Sequence, residues 1–385
     1  IRNWELWLHS AAGGHGMNSF QLEIQLIAIV VAVACALPGV FLVLRRMAMM
    51  SDAISHTVLL GIVIAFFIVQ DITSPLLIFG AALTGVLTVT LVELLHRTGL
   101  VKEDAAIGLV FPALFSLAVI LISRYAGDVH LDVDAVLLGE LAFAPFNRLV
   151  IGGRDIGPIS LYVMGGILLL NILFITLFYK ELKLATFDAG LAAALGFSPA
   201  FIHYGLMTIV SITAVGAFDA VGSILVVALM IAPPVIAYLL TDSLPRMIAL
   251  SALIGALGAI FGFWMARALD ASIAGSMATV LGLFFALTFL FAPQRGIVAL
   301  ARRRSSQRWT FAQTALTIHL LNHQGAPDEA EECSVDHLHE YLRWDLDFAQ
   351  RVVRQSDRAG YIEHENDQLL LTQNGRTHAA TAITA

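Results

Sequence analysis

In the run "MAMMSDAISHTVLLG", residues 47–61, an aspartate and a histidine stand four positions apart in a stretch that is otherwise mostly apolar. On a helix, residues i and i+4 share a face with Cβ atoms about 6 Å apart; Ser55, three after Asp52, flanks the same face. A carboxylate beside an imidazole is a mixed hard and borderline donor pair that suits Mn²⁺, Fe²⁺ or Zn²⁺. An ionisable group at membrane depth costs about 2.5 kcal/mol or more and by default marks an ion or substrate path. The spacing alone leaves a second reading open, in which Asp52 pairs with Arg45 or Arg46 and His56 hydrogen-bonds a backbone carbonyl.

The elements that must position this pair are apolar helices. Of 385 residues, 58% are hydrophobic and 13% charged, about half the charged fraction of a soluble globular protein. A bilayer span needs about 20 apolar residues, and such runs occur at 22–44, 48–69, 75–95, 105–123, 159–179, 201–217, 220–240, 247–268 and 275–292. The fold class is thus an all-α polytopic membrane protein of about eight or nine transmembrane helices. Basic residues at Arg45–Arg46, His96–Lys102, Lys180–Lys183, Arg246 and Arg302–Arg304 fall at alternate ends of the spans. The positive-inside rule assigns those loops to the cytoplasm, with the N-terminus outside and the C-terminus inside. No basic segment followed by a cleavage site precedes the first span, so insertion is expected to rely on that span.

Between spans, the loop 124–158 is assigned outside and is long enough for a re-entrant or surface helix. It carries Asp128, His130, Asp132 and Asp134, a possible cation-attracting outer entrance or a solvated loop. Asp219, at the outer end of a span, either adds a carboxylate to that entrance or caps a helix starting at Ala220. Pro233-Pro234 is expected to break or kink its helix. The small residues of "GALGAIFG", 255–262, allow close helix packing, within the chain or between subunits.

After "ARRRSSQR" the character changes. Residues 305–385 hold 6 Lys and Arg against 12 Asp and Glu, so nearly all of the net charge of −7 sits there. The domains are therefore an N-terminal segment 1–20, a membrane domain 21–295, a basic linker 296–308 and a small α+β domain 309–385. That last domain reads as a helix through "FAQTALTIHLL", helices near 334–341 and 344–358, then two short strands in "GYIEHENDQLLLTQNGR". Arg351, Arg354 and Arg358 share a face of the third helix, but the acidity of the domain opposes phosphate binding, so no nucleic-acid partner is expected. Six of the twelve histidines lie here; Cys333, His337 and His339, preceded by Glu331 and Glu332, are a candidate regulatory metal site or plain surface residues. The two cysteines, Cys35 and Cys333, form no disulfide framework.

"RRMAMMSDAISHTVLLGIVIAF" resembles the second-helix signature of the permeases of manganese and zinc ABC importers, the metal class of ABC-3 permeases. The similarity extends through "HRTGLVKEDAAIGLVFPALFSLAVIL", "ELKLATFDAGLAAALGF" and "AVGSILVVALMIAPPVIAYLL", covering roughly 20–295. "LLLTQNGRTHA" is similar to the last strand and helix start of winged-helix metal-dependent repressors, which implies a winged-helix-like cytoplasmic domain. The first resemblance implies that Asp52 and His56 line the path of a divalent metal ion, Mn²⁺, Zn²⁺ or Fe²⁺. It also implies that "LATFDAGLAAALGF", with Phe187, Asp188, Ala189, Gly190, Leu191 and Gly196, docks on an ATPase and transmits its closure; a plain connecting helix is the alternative. Departures from the family pattern are Asp219, where a neutral residue is usual, and Pro233-Pro234 in place of proline-alanine.

The chain carries no G-x-x-x-x-G-K-[ST] phosphate loop, so it is read as a transport subunit rather than an enzyme, with ATP acting through a partner. The implied partners are ABC ATPase subunits, an extracellular or periplasmic metal-binding protein, a second permease copy, identical or paralogous, and membrane lipid. The implied location is the bacterial plasma (inner) membrane. Alternatives are an ABC permease for a metal chelate or cobalamin-like cargo, and an ion-gradient-driven metal transporter.

Overall fold

The computed structural model describes residues 19–70, 74, 76–125, 141–151, 154–327, 332–334, 338, 342–365 and 368–384. The chain divides into two compact units, Ile1–Ala292 and Pro293–Ala385.

The first unit is a helical bundle: α1 Ser19–Leu44, α2 Ala48–Val69, α3 Leu76–Arg97, α4 Glu103–Tyr125, α5 Ile159–Leu177, two short helices α6 Tyr179–Phe187 and α7 Ala189–Ala194, then α8 Pro199–Val221, α9 Ser223–Leu240, α10 Leu244–Leu269 and α11 Ile273–Phe291. Among the described residues, nine of these helices are long and apolar enough to cross a membrane, within a few residues of the expected spans. Helix α1 sits at the centre, packed on α10, α9, α5 and α8, while α2 packs on α3 and α4. Large apolar side chains such as Phe79, Leu83, Leu173 and Leu177 are exposed, a pattern that lipid tails accommodate and water does not.

Close helix contact comes from small residues, since lipid supplies no hydrophobic drive between spans. Within "GALGAIFG", Gly255 faces Ala32 of α1, while Gly258 and Gly262 face Leu281 and Met277 of α11; the stripe serves packing within the chain. Gly39 of α1 lies against the Met230 carbonyl of α9. That carbonyl is four residues before Pro234, whose missing N–H leaves it without its helical bond. Helix α9 continues through both prolines rather than breaking. The freed carbonyl is covered by the approach of α1, which only a residue without Cβ permits. A buried polar knot adds direction: Asn171 of α5 donates to Ala34 O (2.9 Å) in α1 and to Thr213 Oγ1 (3.0 Å) in α8.

Residues 126–140, where the re-entrant or surface helix is expected, lie outside the described residues; the described part of the outer loop contains a 3₁₀ turn, Ala144–Phe146, and an antiparallel hairpin, β1 Arg148–Ile151 with β2 Arg154–Pro158. The β-branched and leucine run of β1 followed by Gly152-Gly153 is a hairpin signal. Arg148 anchors it, reaching Glu23 of α1 with Nη1 at 2.9 Å from Oε2 and pairing through Nε with Asp155 of β2.

The second unit contains α12 Ile297–His323, α13 Leu346–Arg358, the hairpin β3 Ile362–Glu365 with β4 Gln368–Leu371, and α14 Gln373–Thr384. The stretch expected as a basic linker, 296–308, is almost wholly helical and forms the first turns of α12. Most of the helix expected near 334–341 lies outside the described residues. A separate apolar core joins Ala312, Leu316 and Leu320 of α12 to Val352 and Val353 of α13 and to Ile362, Leu369 and Leu371 of the hairpin.

Candidate functional site

Helix α2 needs no cap from a polar side chain at its start; Met47 precedes it without a side-chain hydrogen bond. Its serines turn inward instead, with Ser51 donating to Ala48 O (2.9 Å) and buried Ser55 donating to Ser51 O (2.8 Å). Ser55 thus spends its hydroxyl on the backbone, while Asp52 and His56 keep their polar atoms partly open. His56 Nε2 stands 3.5 Å from Asp52 Oδ1, with the two side chains 29% and 37% exposed. The side-chain contact that Asp52 forms is with His56; Arg45 goes elsewhere, donating from Nε to Thr186 Oγ1 at 3.1 Å. The alternative in which Asp52 neutralises Arg45 or Arg46 is therefore not the one adopted.

Two aromatic rings that sequence inspection missed frame the imidazole. Phe111 and Phe115 of α4 lie with ring centroids 5.4 and 6.0 Å from that of His56. Their four-residue spacing was visible, but only the pairing of α2 with α4 reveals what they face. They pack against the imidazole ring, whose Nε2 faces Asp52 Oδ1. An ion bonded at about 2.1 Å to both a nitrogen and an oxygen, at a tetrahedral angle, needs them about 3.4 Å apart. The observed 3.5 Å matches that span. At 1.5 Å rise per residue, His56 is about 12 Å along α2 from Ala48, inside a helix long and apolar enough to cross a membrane.

The cytoplasm-assigned segment after α5 is exposed and apolar. Asp188 caps α7, its Oδ1 accepting from Leu191 N at 2.8 Å, and Gly196 closes the segment at φ 86, a left-handed conformation that suits glycine. Phe187, Asp188, Ala189, Gly190 and Leu191 are all exposed, as is Leu195, which makes a short apolar ridge. Buried Leu182 of α6 and the Arg45–Thr186 bond fasten its base to the bundle. Burial presses the Arg45 guanidinium below its ordinary pKa, so this contact sets a cation in a half-desolvated place directly before the ridge.

The other expected residues separate. Asp219 is exposed within the last turn of α8, and the following helix begins at Ser223 with Gly222 (φ 79) as its N-cap and no side-chain cap bond. The capping role expected for Asp219 is thereby corrected: the chain turns on glycine, not on a carboxylate. Asp128, His130, Asp132, Asp134, His337 and His339 lie outside the described residues. Cys333 is 4% exposed and packed in the core of the second unit. Sequence inspection also missed the Glu23–Arg148–Asp155 cluster, whose partners are far apart in the chain.

The model of the ABC 3 transport family matches residues 17–292. Similar proteins include the zinc transport system membrane protein TroD of Treponema pallidum, 49% identical over 354 residues that cover 92% of this chain and 96% of that one. The manganese transport system membrane protein MntD of Bacillus subtilis is 49% identical over 280 residues, 73% of this chain and 95% of that protein. Among solved structures, PsaBC from Streptococcus pneumoniae in complex with Fab aligns with a TM-score of 0.60 and 28% identity, covering 77% of this chain and 99% of its own.

Proposed function

The chain belongs to the ABC 3 transport family, and on that premise we propose that it is the membrane-spanning permease of an ATP-driven importer of divalent transition-metal ions. The observation that carries this reading is the Asp52–His56 pair, set at ligand spacing inside a span and left partly open between two phenylalanines. An external binding protein delivers the ion, and Asp52 and His56 replace part of its hydration shell. Two side chains per subunit hold an ion weakly, which suits a path that must also release it. A second permease copy, identical or paralogous, would complete the cavity. Asp219 and the acidic residues 128–134 are assigned to the outer entrance.

ATP is hydrolysed by a separate subunit that docks on the exposed ridge Phe187–Leu191 and Gly196. Alternating access follows when nucleotide-driven closure moves that ridge and, through Thr186 and Arg45, the α1–α2 junction a few residues before Asp52. The second unit is read as a cytoplasmic winged-helix-like domain. Supporting this are its helix, helix, hairpin, helix order and the bridge from Ser334 to Gln368, which adds a third strand position beside β4.

The test is uptake of ⁵⁴Mn²⁺ and ⁶⁵Zn²⁺ into vesicles holding the chain with its ATPase and binding protein. Asp52→Ala and His56→Ala are expected to lose at least nine-tenths of the uptake while still co-purifying with the ATPase. Wild-type rates in both variants would remove the ion path from this helix; uptake that persists under vanadate would remove ATP as the driver.

A further inference from the structure

We propose that His319, His323 and Glu332 form a binding site for a first-row divalent transition-metal ion in the second unit, distinct from the Asp52–His56 pair. One ligand atom from each of the three residues lies within 4.8 Å of the other two. His319 and His323 are i and i+4 in the last turns of α12, and their rings stand 4.7 Å apart between centroids. Glu332 returns to them from beyond the loop that begins at Gln324. His319 Nε2 is 2.9 Å from the main-chain oxygen of Glu332 and 3.8 Å from its Oε2.

Both sides of the cluster are set on fixed backbone, which is what a binding constellation needs. The helix α12 is continuous to His323, with Leu316 and Leu320 in the core. On the other side, Cys333 O accepts from Leu369 N at 2.9 Å and Ser334 bridges to Gln368, so the residue before them cannot swing away. The burial of Cys333 in the core sends the neighbouring Glu332 to the opposite side, toward the histidines. The His319 side chain is 3% exposed and the Glu332 side chain 16%. A carboxylate so covered beside two imidazoles is stabilised by a cation between them.

Two imidazoles and one carboxylate are the donor set of many open zinc sites, with nitrogen and oxygen at about 2.0–2.2 Å and a further position left for water. Closing three atoms from within 4.8 Å to the roughly 3.4 Å of a tetrahedral set takes a rotation of the Glu332 carboxylate and of the half-buried His323 ring, not a backbone shift. Neutral imidazoles coordinate without net proton release; the ring proton of His319 now aimed at the Glu332 carbonyl moves to the other nitrogen if Nε2 is the ligand. Thiolate is absent from the set, so Zn²⁺ and Co²⁺ fit better than Cu⁺. The site stands apart from the transport reading and would hold even if Asp52 and His56 carried nothing.

The test is a Co²⁺ titration of the full chain in detergent, followed by its visible d–d absorption, in a background of Asp52→Asn with His56→Ala. The expected result is an intense tetrahedral-type band saturating at one Co²⁺ per chain and displaced by Zn²⁺. Adding His323→Ala or Glu332→Gln, both at partly exposed positions that leave the core intact, is expected to weaken binding at least tenfold and change the band. An absence of the band in the background protein, or an unchanged titration in both added variants, overturns the site. Circular dichroism on each variant identifies any that fails to fold, and Glu332→Asp, which keeps a carboxylate donor, is then the deciding case: tighter Co²⁺ binding than in Glu332→Gln supports the site and binding no tighter overturns it.

Discussion

In the proposed ion path, Asp52 and His56 would divide the work by their hardness. The carboxylate favours Mn²⁺ by hard oxygen donation, while the imidazole favours Zn²⁺. Replacing nitrogen by oxygen with the pair otherwise kept should therefore move selectivity in a stated direction. His56→Asp is expected to lower the ratio of Zn²⁺ to Mn²⁺ uptake about tenfold relative to wild type, read from dual-isotope uptake in the same vesicles; an unchanged ratio would place selection wholly outside this pair. The pair itself was legible in the sequence because i, i+4 spacing is a local property of a helix. Phe111 and Phe115 were not, since only the packing of α2 on α4 brings them to the imidazole. The partnership of Arg45 with Thr186 spans 141 positions and has no local signal either.

At the scale of elements, two contacts lend themselves to measurement. Gly39 is where α1 covers the carbonyl that Pro234 leaves unbonded, and any Cβ there meets the Met230 main chain. Gly39→Val should cost about 1–3 kcal/mol, the range for overpacking a filled interior. It would appear as a lower Tm in detergent, whereas valine at Gly282, which faces open space, should leave Tm within about a degree. The outer hairpin offers a pH prediction. The hydrogen bond from Arg148, with its charge and the Gly157 N–H, holds the Asp155 carboxyl below its ordinary pKa. A depressed carboxyl stabilises the folded form above its unfolded pKa, about 3.9, and loses that contribution as pH falls through the folded value. Protection of the β1 and β2 amides, taken as exchange divided by its intrinsic rate at each pH, should thus stay constant from pH 7 to about pH 5 and fall only below about pH 4, with the acid effect abolished in Asp155→Asn. The hairpin escaped a sequence reading that weighed loop length more than the run Leu149–Ile151 ahead of Gly152-Gly153. The helix spans were plain because a stretch of 20 apolar residues has few other uses.

The whole molecule is two units with separate apolar cores, and similarity to TroD runs past the 292 residues of the first unit into the second. The sequence showed this division by a change in charge and polarity; residues 296–308, read as a basic linker, are almost all on helix α12. Charged residues with good helix propensity favour that outcome whether or not they pack. The elements proposed to move an ion, Asp52–His56 and the ridge at 187–196, all lie in the first unit. A chain ending at Ala292 should therefore still insert, co-purify with the ATPase and import metal, because no side chain in the proposed path or docking ridge is lost. Substituting Phe187 and Leu191 by Asp in the full-length chain should do the reverse: these exposed apolar residues contribute nothing to the bundle's core, so Tm should hold while pull-down of the ATPase falls at least tenfold. If the truncated chain lost the ATPase while the ridge variant kept it, docking would belong to the second unit and the ridge would be a connector between α5 and α8.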